Sequence, residues 1–176
     1  KKWMVGTVNS FYIGIIATVI ATALGTLAAL GLSRPHMPYK GLIMAILISP
    51  MIVPLIITAA GMFFFYARIN LVYTFTGVIL AHVALATPFV VITVTATLVG
   101  FDMNMVKAAQ SLGAKPLRTF FKVIMPLILP GIISGALFAF ITSFDEVVIV
   151  MFMASIDQLT IPKQMWAGIR QEISPV

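Results

Sequence analysis

Four consecutive residues, Ser143-Phe144-Asp145-Glu146, carry the only adjacent carboxylates in a chain of 176 residues with five acidic side chains, and apolar runs flank them on both sides. Carboxylates between apolar runs are costly in a bilayer, so they belong to a pair, a cap or a ligand path. Two carboxylates beside an aromatic ring can hold an ammonium by charge and by attraction to the ring face. The same residues allow a local structural role. Ser143 and Glu146 have the S-x-x-E spacing of a capping box, which would start a new helix at a break, and Lys163 or Arg170 would neutralise either acid. The two readings are compatible, because a broken transmembrane helix exposes polar backbone only where it lines a cavity.

Other chemistries find little support. The chain has no cysteine, hence no thiol nucleophile, disulfide or cysteine metal site. It contains no G-x-x-x-x-G-K-[ST] phosphate loop, no H-E-x-x-H and no G-x-S-x-G, so neither ATP binding by that route nor an intramembrane enzyme is expected. His82 sits well inside an apolar run that holds no second titratable residue, which favours a buried histidine bonded to a neighbour over a proton relay. The formal charge of +6 does not indicate nucleic acid, since a polytopic chain needs basic loops for orientation.

The elements that position these residues follow from composition. Charged residues make up 9% of the chain and mean hydropathy is +1.11, against roughly 25% charge in soluble domains. Uncharged stretches of 31, 27, 33 and 22 residues lie between Lys2 and Arg34, Lys40 and Arg68, Arg68 and Asp102, and Lys122 and Asp145. Each exceeds the roughly 20 residues that a helix needs to cross a hydrocarbon core. The first is too long for a signal peptide. The expected architecture is all-α, a polytopic bundle forming one transmembrane domain over residues 1–176, with helices at about 5–32, 41–66, 73–99 and 127–154 and a break near 143–146. Proline at 50, 54 and 88 predicts kinks in the second and third helices. Pro35 and Pro38 close off the loop after the first helix. Ala17, Ala21, Gly25 and Ala29 form a small-residue stripe for close helix packing within the chain.

Six basic residues fall in loop 33–40 and segment 100–126, and only Arg68 lies in loop 67–72, which puts the basic side in the cytoplasm. Asp145 is nineteen residues beyond Pro126, about 28 Å along an upright helix and toward the outer half of the membrane. Residues 156–176, with Trp166, read as an outer-face segment, suited to a partner or to interfacial anchoring.

Segment 100–126 carries the most specific pattern. Asp102 is placed to cap a short helix in which Met105, Ala108, Ala109 and Leu112 form an apolar stripe beside Asn104, Lys107 and Ser111. Gly113 supplies a left-handed stop, and Pro116 opens a second short helix. Ala108-Ala109, three residues, Gly113, nine residues, then Val123-Ile124-Met125-Pro126 resembles the Glu-Ala-Ala…Gly…Ile-x-Leu-Pro motif of permease subunits of binding-protein-dependent ATP-binding-cassette importers. PGIISGALFAFITSFDEVVI resembles their polyamine branch.

The resemblance implies the type I importer permease fold in a bacterial inner membrane. Lys107, Ala108, Ala109, Leu112 and Gly113 would then form a coupling helix that docks on an ATPase. Lys107 stands where the motif has glutamate, and Met125 where it has leucine, so any ion pair of that glutamate does not carry over. Implied partners are a second permease subunit, two cytoplasmic ATPase subunits that carry ATP and Mg, and an extracytoplasmic binding protein. No cofactor is implied in this chain. The family usually has one more helix at each end, which would put residues 174–176 just before the last. Phe144, Asp145 and Glu146 are the candidate translocation path for a polyamine or similar amine. A secondary carrier or channel coupled to an ion gradient through Asp145 and Glu146 is the alternative.

Overall fold

The computed structural model describes residues 2–34, 36–100, 102 and 104–172. In chain order these form α1 (Lys2–Leu32), α2 (Lys40–Ile52), α3 (Leu55–Arg68), α4 (Phe75–Val99), α5 (Asn104–Ser111), α6 (Pro116–Thr119), a π-helical turn (Phe120–Ile124), α7 (Met125–Phe144), α8 (Val148–Met153) and α9 (Ile161–Glu172). Pro35, the side chain of Arg170 and residues 174–176 lie outside the described residues.

Helices α1, α4 and α7 pack against one another and form the frame. α4 is central: 67% of its most apolar window is buried, against 39% for α1 and 22% for the helix that ends as α7. The close approach rests on missing side chains. Ala17, Ala21 and Ala29 of the α1 stripe are fully buried. A Cβ on Gly25 would fall 2.6 Å from Val90 Cβ of α4, and one on Gly135 of α7 would fall 2.9 Å from Val90 Cα. Val90 therefore sits between two glycines from opposite neighbours, and the three backbones meet closely at that level.

The second expected span differs most from the expectation of one kinked helix over 41–66. α2 and α3 have 13 and 14 residues and meet at an angle of 105°. At 1.5 Å per residue each is about 20 Å long, too short to cross the bilayer alone. The break falls at Val53-Pro54, both extended, because a proline lacks an N–H and holds the preceding residue out of the helical region. Ser49-Pro50 does not break α2, and α4 runs continuously through Pro88. α2 packs on α4, and α3 packs on α8.

The fourth span also begins earlier than residue 127. α6, the π turn and α7 form one helix of 29 residues from Pro116 to Phe144, about 43 Å long, so its first turns extend beyond a hydrocarbon core of about 30 Å. Pro126 lies inside this helix rather than at its start. It has no N–H for the carbonyl of Lys122, and the wider turn takes up the mismatch: Met125 donates to the carbonyl of Phe120, five residues back. The helix ends at Phe144, and α8 begins at Val148, so the expected break lies at 145–147.

Candidate translocation and coupling sites

The polar groups around the break have three different environments. Ser143, in the last turn of α7, is buried and its Oγ lies 2.7 Å from Nδ1 of the buried His82 on α4. The capping box expected between Ser143 and Glu146 is not formed. α7 continues past Ser143, so no orphan amide is within its reach, and its hydroxyl turns to α4. His82 is thus a buried histidine bonded to a neighbour, with its Nε2 unpartnered among the described residues.

Glu146 has a different partner. It is buried, and its Oε1 accepts a hydrogen bond from the N–H of Ile149 at 2.9 Å. A carboxylate at a helix N-terminus satisfies an orphan amide and complements the positive end of the helix dipole. At the other end of α8, Lys163 Nζ donates to the carbonyls of Val150, at 3.2 Å, and Ala154, at 2.9 Å. Burial pushes the half-buried Lys163 ammonium below the usual lysine range. Lys163 is therefore occupied by carbonyls of α8, whereas the sequence had offered it as a partner for the acidic pair.

Asp145 is the exposed member of that pair. It is the C-cap of α7, its N–H bonded to the carbonyl of Ile141, so its side chain sits at the helix end where a negative charge is unfavourable. Phe144, beside it, belongs to a ring cluster: its centroid is 5.3 Å from that of Phe11 on α1, edge-on, and 5.5 Å from that of Phe140, stacked. Phe11 is 46% exposed, so the cluster is open on one side. The acidic pair therefore divides, with Glu146 engaged in capping and Asp145 presented beside an aromatic surface.

The loop after α8 is clamped to α1. Asn9 Nδ2 donates to the carbonyls of Asp157 and Leu159 at 2.8 and 3.0 Å, and Ser10 Oγ accepts from the N–H of Ile161, the first residue of α9, at 2.9 Å. Neither residue was singled out from the sequence. The signal was present, since adjacent Asn and Ser inside an apolar helix require partners. A cleft of about 810 Å³ opens beside this clamp, lined in part by Trp3, Ile156, Lys163 and Gln164.

At the opposite end of the frame, Asp102 Oδ1 accepts from the N–H of Asn104 at 2.9 Å, starting α5. α5 touches α6 and the π turn and contains no buried residue. Lys107 and Ala108 are exposed, Ala109 is half-buried, and Leu112 is 89% exposed, so the apolar stripe is largely uncovered. Gly113 has φ +82°, with its N–H bonded to the carbonyl of Gln110 and that of Ala114 bonded to Ala109, the pattern of a Schellman stop. The two groups of candidate residues thus lie on different elements, Lys107, Ala108, Ala109, Leu112 and Gly113 on and after α5, and Phe144, Asp145 and Glu146 at the α7 break.

Residues 7–175 match the family described as "Binding-protein-dependent transport system inner membrane component". The chain belongs to this family. Its members are permease components, which accords with the all-α fold and the three long apolar helices, α1, α4 and the helix ending as α7. Curated relatives are the spermidine/putrescine transport system permease protein PotC of Haemophilus influenzae, 30% identical over 96% of this chain and 65% of the relative, and that of Escherichia coli K12, 28% identical over 95% and 63%. The putrescine transport system permease protein PotI of Escherichia coli K12 is 30% identical over 94% of this chain and 62% of its own length. The chain spans slightly less than two thirds of these relatives. It is a multi-pass membrane chain of this family and is similar to the polyamine permeases.

Proposed function

We propose that this chain is the transmembrane subunit of an ATP-driven importer in a bacterial inner membrane, and that it forms the path for a small cationic amine, a polyamine above all, by alternating access. The observation that carries the reading is α5: an amphipathic helix without buried residues that rests on α6 and the π turn, with its motif residues Ala108 and Ala109 ahead of the stop at Gly113. An uncovered apolar stripe beside polar residues suits docking on a soluble protein. The partners are a second permease subunit, two cytoplasmic ATPase subunits that hold ATP and Mg, and an extracytoplasmic binding protein. The chain itself performs no catalysis. The cargo class follows from the names of the relatives together with the exposed carboxylate of Asp145 beside the Phe144 ring cluster, a combination that attracts an ammonium.

The test is ATP-dependent uptake of labelled spermidine and putrescine by the full-length chain reconstituted with its partner subunits. Gly113→Pro should abolish uptake while the chain remains in the membrane, because proline cannot take the positive φ at this position. Uptake by this chain without an ATPase, driven by an ion gradient, would overturn the reading.

A further inference from the structure

The seam between α4 and α7 is smooth over most of its length and polar at one point. Gly131 and Gly135 of α7 lie directly on the α4 residues Thr93, Thr97 and Val90. Backbone packed on small groups brings the helices close without fixing how one is rotated about its axis against the other. The His82–Ser143 contact is different in kind. Among the described residues it is the only side-chain-to-side-chain hydrogen bond that joins two helices, and both members are nearly inaccessible, at 1% and 4% exposure.

Ser143 also differs from several helical hydroxyls that bond within their own helix. Thr87, Thr93, Thr97 and Ser111 each bond the carbonyl four residues back in their own helix. That back-bond is available to Ser143 from Ala139, and the hydroxyl reaches across to α4 instead. The contact comes two residues before the exposed Asp145, at the point where α7 stops.

Helix geometry connects the two. Successive side chains turn by about 100°, so Asp145 points about 200° round from Ser143. With Ser143 held against α4, Asp145 is directed away from that interface, and Phe144 between them falls on the Phe11 and Phe140 rings. Any rotation of the last turn of α7 carries Asp145 with it.

We propose that His82 is a positioning residue: through Ser143 it sets the rotation of the end of α7 and so the direction in which Asp145 is presented. The functional value of that direction rests on the reading of Asp145 as a residue of the path. The latch itself is a statement about orientation and is tested apart from transport.

None of these 176 residues is a cysteine, so in a full-length chain freed of any other cysteine Asp145→Cys places a single thiol, and Ile156→Cys provides a control at an 86% exposed position. In the assembled transporter with cysteine-free partners, labelling by a charged methanethiosulfonate is expected to change severalfold at position 145 when His82→Ala or Ser143→Ala is added, and to stay constant at position 156. The double replacement should change it no further than either alone, because both remove the same bond. His82→Asn, whose amide occupies the place of Nδ1, should restore the original rate. If His82→Ala fails to assemble, Ser143→Ala, which removes only one hydroxyl, carries the test. Unchanged labelling at 145, or an equal change at 156, overturns the latch. Uptake insensitive to Asp145→Asn would instead sink the role of Asp145 in the path and leave the latch standing.

Discussion

Lys163 Nζ lies 2.9 Å from the carbonyl oxygen of Ala154, so the first turn of α9 holds the C-terminal end of α8. Glu146 holds the other end through the N–H of Ile149. A helix of six residues is far below the length that is stable alone, and α8 exists because both ends are capped and Ile149, Val150 and Met153 are fully buried. The break in the fourth span is therefore a built structure with an acid at one end and an amine at the other.

Replacing Lys163 with Met keeps the apolar stem and removes the donor. The two carbonyls lose a charged partner, and the folded state should weaken by about 2 kcal/mol. A thermal melt of the purified chain in detergent measures this, and an unchanged midpoint would contradict the capping role.

The two carboxylates should respond in opposite ways. Glu146→Ala leaves the N–H of Ile149 buried without its acceptor and should cost about 1–3 kcal/mol, whereas Glu146→Gln retains an acceptor oxygen and should cost less. Asp145→Asn removes an acid from a helix C-terminus and should leave stability unchanged or raise it by a few tenths of about 1 kcal/mol. If Asp145 faces the amine, the same change lowers uptake while Glu146→Gln preserves it. Paired melting and uptake assays separate the two residues.

Gly25→Ala inserts a methyl 2.6 Å from Val90 Cβ, with the carbonyl of Thr87 at 3.3 Å. Neighbouring backbone has to move, and the cost should be about 1–3 kcal/mol. Gly31→Ala, in the same helix with no atom within 4 Å, should be neutral or slightly stabilising. Equal melting points for the two variants would argue against the close α1–α4 approach.

Asn9→Ala breaks both bonds to the 157–159 carbonyls and leaves those oxygens without the amide that holds them to α1. Faster amide exchange over residues 155–161, with exchange in α4 unchanged, is the expected result. Uniform protection across both segments would show that the clamp is not needed.

Much of the frame was legible from local properties. Long uncharged runs announce helices that cross a membrane, the Ala17–Ala29 stripe announces a close helix neighbour, and the Gly113 spacing places a left-handed stop. Proline by itself did not say where a helix would break. Pro50, Pro54 and Pro88 look alike in sequence, but only Pro54 coincides with a break, and the two segments it separates pack on different helices, α4 and α8. The start of the fourth span was hidden for a related reason, since the π turn lets the helix pass through Pro126.

The sequence alone determined that this is an all-α, multi-pass membrane chain with a basic, motif-bearing segment between its apolar helices, because transfer cost, helical periodicity and motif spacing are sums over neighbouring residues. Which carboxylate is a cap and which is presented outward, that Lys163 serves backbone carbonyls rather than an acid, and that His82 meets Ser143 were decided by tertiary structure. His82 and Ser143 are 61 positions apart, Lys163 reaches back 9 and 13 residues to α8, and the Glu146 cap requires the chain to break where it does. A hydrogen bond forms or fails within a few tenths of an ångström, and that distance is set by the packing of α1, α4 and α7 rather than by any single segment.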